Sequence, residues 1–167
     1  IPIISEETVN FEVKIKDKSF WLIDPIDGTR DYIKKKDEYT LNAALIIDLK
    51  PAAGIIYAPA KNRLFFSYDQ NHAYEIYNGK TKKLDCKKKN ISKIIGLENS
   101  GPTPKEILEI YEKNEVNEKF KVSSSYKFCL IAAGEADIYA ANARAYEWDI
   151  AAGHAILSHA GGSLTTH

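Results

Sequence analysis

Asp24 and Asp27 stand three residues apart in Asp24-Pro25-Ile26-Asp27-Gly28-Thr29, directly after the apolar run Phe20-Trp21-Leu22-Ile23. Two carboxylates aimed at one point repel, and each raises the other's pKa unless a cation lies between them. A divalent metal with oxygen ligands resolves that repulsion. Pro25 fixes a bend, and Gly28 lets backbone come close to a ligand. A helix beginning near Thr29 would turn its free amides toward whatever the metal holds, which suits a phosphate. The same six residues also suit a plain Pro-x-Asp-Gly turn with two solvated aspartates.

Two further acidic positions bear on that choice. Glu6 and Glu7 close another apolar stretch, where acids serve as helix caps or surface pairs. Asp149 follows Trp148 at the start of a small-residue helix, a position that suits an N-cap. Ala151, Ala152 and Gly153 would let that helix pack closely on a neighbour. The four histidines read as structural or surface residues. His154 and His159 are five apart, off the i, i+4 spacing of a helical metal pair, and His72 and His167 have no nearby partner in sequence. Cys86 and Cys129 form no CxxC and no zinc spacing, and read as two reduced thiols in a cytoplasmic protein.

The elements that must position these groups fall into two halves. The chain has 167 residues, 44% apolar and 28% charged, enough for one substantial core or two small lobes. Lys plus Arg and Asp plus Glu each total 23, which argues against a nucleic acid polymer as partner through bulk charge. No apolar run approaches the roughly 18 residues of a membrane span, and no signal-peptide pattern opens the chain. The absence of methionine, the start at Ile1 and the end at "AGGSLTTH" read as a piece of a longer protein.

Strands are expected at 20–23, 39–48, 52–59, 63–68 and 72–78, with an Asn78-Gly79 hairpin turn into 80–86. Helices are expected at 103–114 behind a Thr103 cap, at 124–136 behind a serine cap, and at 147–162 with a stop at Gly161. Strands at 119–124 and 137–141 lie between them. The pattern predicts a mixed α and β fold in which an antiparallel β-rich lobe (1–95) precedes an α/β lobe (96–167). The change of character lies near 91–98, and the lysine run 87–89 reads as a solvated turn.

Taken together, the "SEE" at Ser5 to Glu7, "WLIDPIDGT" and "WDIAAGHAI" followed by "AGG" resemble the inositol monophosphatase superfamily of metal-dependent phosphatases, over nearly the whole chain. The resemblance implies a layered αβαβα sugar-phosphatase-like fold, here partial, because the family's chain extends beyond both ends. It puts two or more Mg2+ ions on Glu6, Asp24, the Ile26 carbonyl, Asp27 and Asp149, and implies inhibition by Li+. It makes Glu6, Thr29 and Asp27 the catalytic residues of an in-line hydrolysis by water, and rests the phosphate on Ile26 to Thr29.

Within that superfamily, "SSSYKFCLIAAGEADIY" resembles the 3'(2'),5'-bisphosphate nucleotidases, which take 3'-phosphoadenosine 5'-phosphate (PAP) to AMP. The implied substrate pocket comprises Glu6, Ile26, Asp27, Gly28, Thr29, Ser124, Ser125, Lys127, Arg144 and Asp149. Serines at a helix start with a lysine in its first turn make an anion pocket, suited to a second phosphate. Where the subgroup usually has an arginine, this chain has Ala141, and Arg144 is the candidate replacement. The subgroup's Ser-Arg-Ser-His run corresponds here to Glu98-Asn99-Ser100-Gly101, without arginine or histidine. The expected partner is a small phosphorylated molecule. The alternatives are an inositol or sugar monophosphate phosphatase, or a non-catalytic homologue that binds a phosphorylated ligand.

Overall fold

The computed structural model describes residues 1–9, 17–86 and 93–166; the lysine run 87–89, the start of the expected boundary at 91 and His167 lie outside them. Among the described residues, ten strands and four α-helices follow in chain order. The first sheet contains β1 (Ile3–Ser5), β2 (Phe20–Asp27), β3 (Thr40–Ile47), β4 (Lys50–Ala58), β5 (Arg63–Asp69), β6 (His72–Tyr77) and β7 (Lys80–Lys83), side by side in sequence order. β1 joins β2 in parallel, and every later pairing in this sheet is antiparallel. The second sheet is small and parallel, in the order β10 (Ile138–Tyr139), β8 (Ile95–Glu98), β9 (Glu118–Lys121). The mixed class, with an antiparallel half before an α/β half, is as the sequence pattern predicts.

Strand alternation assigns the two faces of the first sheet. Leu22 and Asp24 on β2 and Thr40, Asn42, Ala44 and Ile46 on β3 are all buried on one face. That face receives α4 (Glu147–His159), which packs across β2, β3, β4, β5 and β6. Trp148, Ala151, Ala152, Gly153, Ala155, Ile156 and Leu157 are buried, so α4 is apolar on most sides rather than on one stripe. Close approach depends on glycine. A Cβ on Gly54 of β4 would collide with the backbone of Ala152, and one on Gly153 would enter the ring of Phe128. α4 ends where expected: Gly161 adopts a left-handed φ of 95°, its N–H reaches the Ser158 carbonyl and Gly162 N–H reaches that of Leu157.

Phe128 belongs to α3 (Tyr126–Ala132), which lies against α4 and meets Tyr139 of β10 edge-on. One cluster of buried side chains runs from Leu22, Ile56 and Phe65 through Trp148 and Ile156 to Leu97 and Val122. The change of sheet falls near residue 95, but α4 returns to the first sheet and the core continues across both halves. Arg63 reinforces the joint. Its guanidinium donates to Glu75 on β6, to the Tyr126 hydroxyl at 2.6 Å and to Glu135.

Several ends differ from expectation for local reasons. α2 (Lys105–Lys113) begins behind Pro104 with no side-chain cap from Thr103. α3 stops at Ala132 because Gly134 turns left-handed at φ 72°. The cap serine of α3, Ser125, spends its hydroxyl on Thr40 and Asn42 instead of on the helix end. β7 stops at Lys83, and Leu84 beyond it is buried. No helix among the described residues is long and apolar enough to cross a membrane.

The Gly54 contact yields a test. Gly54→Ala puts a methyl against backbone that cannot rotate away, so α4 must lift from the sheet. The expected loss is about 1–3 kcal/mol, the usual cost of overpacking, read as a lowered urea midpoint with an unchanged slope.

Candidate active site

β2 does not end in a turn at Asp24; it bulges there and continues to Asp27. Asp24 lies opposite Asn42 and Asp27 opposite Thr40, so three steps along β2 match two along β3. In a regular strand, residues three apart point to opposite faces. The extra residue returns Asp27 to the face of Asp24. Pro25, which lacks an N–H, sits inside the bulge, where ladder bonding is already broken. Gly28 follows at φ 87°, and its missing Cβ would press on the Glu38 carbonyl and the Ser124 side chain. α1 (Thr29–Ile33) starts there, and Thr29 Oγ1 donates to the Ile26 carbonyl at 2.9 Å.

The chain brings Glu6, Asp24 and Asp149 together, each with one carboxylate oxygen within 4.8 Å of the others'. They arrive on three elements: the 3-10 turn Glu6–Thr8 after β1, the bulge of β2, and the first turn of α4. Asp149 is fixed by a reciprocal cap, in which Tyr146 N–H donates to Asp149 Oδ2 at 2.8 Å. Asp24 is 1% exposed. Its Oδ1 accepts from Ile26 N–H at 3.0 Å, while Oδ2 is buried without a donor among the described residues. Burial first, then the Asp27 and Glu6 carboxylates, push the Asp24 carboxyl up to about 8, against the pull of Ile26 N–H. Burial also raises Asp27 and Asp149.

Asp27 stands beside this trio and not within it. Its Oδ2 accepts from Ser125 N–H and, at 3.4 Å, from Asn42 Nδ2. An acceptor-only pocket with an orphaned buried oxygen fits a hard divalent cation. Glu6, Asp24 and Asp149 would hold it, with Asp27 and the Ile26 carbonyl alongside.

The residues expected to bind a second phosphate are split. Ser124 is half-buried beside Gly28, with a left-handed φ of 56°. Ser125 and Lys127 are buried. Lys127 Nζ donates to the Ser124 carbonyl at 2.8 Å and the Val122 carbonyl at 3.1 Å, and lies 5.1 Å from the Tyr139 ring. Burial lowers its pKa to about 8, opposed by Asp27, Glu38 and Asp31. Arg144 is exposed and lines a hollow of about 150 Å³ together with Asn99, Ala141 and Asn142. Arg144 and Ala141 therefore face the same space.

Four positions escaped the sequence reading. Glu38 Oε2 accepts from Ser123 N–H at 3.0 Å, and Asp31 is held below the ordinary carboxylate range by Ser123 and Lys36. Thr40 and Asn42 join Ser125 in a buried polar group. Their signal was present: polar residues occupy two inward positions of a strand that is otherwise apolar on that face.

Residues 1–167 match the inositol monophosphatase family, and the chain belongs to it. It is similar to the 3'(2'),5'-bisphosphate nucleotidase CysQ of Buchnera aphidicola, at 41% identity over 99% of this chain and 62% of that protein. The CysQ of Escherichia coli K12, also named a 3'(2'),5'-bisphosphate nucleotidase, is 33% identical over 96% of this chain and 65% of its own length. The crystal structure of CysQ from Bacteroides thetaiotaomicron superposes with a TM-score of 0.83 at 31% identity, over 96% of this chain and 66% of that one. The chain thus spans just under two thirds of the length of these relatives.

The carboxylate cluster predicts a pH effect in chelator. Folded Asp24 holds a proton that the unfolded chain releases near 3.8, so stability falls as pH rises from about 4 to about 8. Asp24→Asn is expected to flatten that slope and to leave the chelated protein at least as stable as wild type at roughly pH 8. Urea titrations in EDTA across that range decide it; parallel wild-type and Asp24→Asn profiles would contradict the raised Asp24 carboxyl.

Proposed function

We propose that this protein is a magnesium-dependent phosphomonoesterase that removes the 3'-phosphate of PAP to give AMP and phosphate. The observation that carries the reading is the convergence of Glu6, Asp24 and Asp149 around an Asp24 oxygen that has no hydrogen-bond donor. The names of the 41% and 33% identical relatives support the bisphosphate substrate.

Bound Mg2+ would supply Lewis-acid stabilisation of the phosphate and a water acidic enough to react near neutral pH. The chain's own groups supply orientation. Glu6 accepts from the attacking water. Thr29, whose hydroxyl is anchored on the Ile26 carbonyl, offers a second contact to the same water. Asp27 is presented with its Oδ2 tied to Ser125 and Asn42, which fixes the carboxylate plane. The reacting phosphate rests on the turn Ile26 to Thr29, where Gly28 leaves room for it. Cys129 has no part: it is fully buried and its thiol is pushed well above its ordinary pKa by that burial.

The second phosphate is assigned to Arg144 at the hollow it lines with Asn99, Ala141 and Asn142, rather than to Lys127. Lys127 already serves two backbone carbonyls, whereas Arg144 is exposed at the hollow.

Phosphate release tests both levels. Asp24→Asn should lower turnover by orders of magnitude, and excess chelator should abolish it. Full activity in chelator overturns the metal reading. Arg144→Ala should lower kcat/KM for PAP by about 10- to 100-fold, as expected for a charge-assisted hydrogen bond worth roughly 1.5–3 kcal/mol, with little effect on inositol 1-phosphate. An unchanged ratio would favour the inositol or sugar phosphate reading.

A further inference from the structure

Thr40, Asn42 and Ser125 are among the most buried polar side chains of the molecule, at 0%, 2% and 2% exposure. Their hydrogen bonds have one consistent direction. Ser125 Oγ donates to Asn42 Oδ1 at 2.7 Å. A hydroxyl has one proton, so the 2.8 Å contact between Thr40 Oγ1 and Ser125 Oγ is donated by Thr40. With Oδ1 of Asn42 turned to Ser125, its Nδ2 faces Asp27 Oδ2 at 3.4 Å. A flipped amide would instead set its oxygen against the carboxylate and its NH2 against a hydroxyl proton. The Ser125 N–H reaches the same Asp27 oxygen. The chain of donors thus runs from Thr40 through Ser125 and Asn42 and ends on Asp27.

We infer that Asn42, locked in orientation by Thr40 and Ser125, is a positioning residue for Asp27. It ties down one carboxylate oxygen and leaves Oδ1 as the atom offered to a divalent cation. The inference rests on the metal reading given above, and it assigns a role to two residues of β3 that touch no substrate. Buried hydrogen-bond chains of this kind polarise one another, and partners that orient a metal ligand commonly control affinity.

Mg2+ titration calorimetry on the full chain, without turnover, tests it. Asn42→Leu keeps the branching of the side chain and removes the amide; it should weaken Mg2+ binding by about 10- to 100-fold, the usual range for an outer-shell partner. Thr40→Val keeps the shape and removes the first donor, and it should weaken binding in the same direction. Thr40→Ser restores the hydroxyl and should bind as wild type does. Wild-type affinity in both Asn42→Leu and Thr40→Val overturns the role of Asn42 while leaving the metal site standing. A Thr40→Ser variant as weak as Thr40→Val overturns the directed chain. Absence of Mg2+ binding by wild type, with Asp24→Asn indistinguishable from it, overturns the metal reading and this one together.

Discussion

Asp24 and Asp27 share a face of β2 because the strand carries one extra residue around Pro25, and the placements around them follow from that shift. Without the bulge, one carboxylate would point away from α4. With it, both are turned toward α4, where burial and the neighbouring carboxylates together disfavour their charged forms. The surroundings answer with N–H groups at selected atoms: Ile26 on Asp24, Ser125 and Asn42 on Asp27, Tyr146 on Asp149. The Asp24 oxygen left without such a donor marks where a cation fits.

The acidic residues of the first half also hold the second half in register. Asp27, Asp31 and Glu38 all engage the segment from Ser123 to Ser125, through its backbone N–H groups or the Ser123 side chain. Lys127 engages the same segment through the Val122 and Ser124 carbonyls. The left-handed Ser124 thus lies in a segment whose N–H groups and carbonyls are both engaged, and the amide of Ser125 is delivered to Asp27. The joint between the two sheets is thus polar at the site and apolar under α4.

The metal-motif reading of Asp24, Asp27 and Asp149 was open to inspection in the sequence because these acids interrupt apolar runs. The hairpins from β3 to β7 were legible through period-two alternation and Asn78-Gly79. The bulge was not, since a strand that breaks register around a proline looks like a turn in one dimension. Lys127 shows a second limit. Its place in a first helical turn suggested an anion pocket, but whether an ammonium faces a ligand or backbone carbonyls depends on the path of the preceding loop. Thr40 and Asn42 were visible only as polar residues at inward positions, and the residue that explains them, Ser125, lies far along the chain.

That separation along the chain has a consequence for assembly. Glu6 and Asp24 lie early in the chain, but the third member of their cluster is carried by α4, which rests on the sheet at Gly54. Closing so long a loop is slow and yields nothing until the helix docks. A nascent or partly folded chain therefore has scattered acids and no cage. An ion held by the finished cluster would therefore depend on β1, β2 and α4 being in place together, and its affinity would report on all three at once.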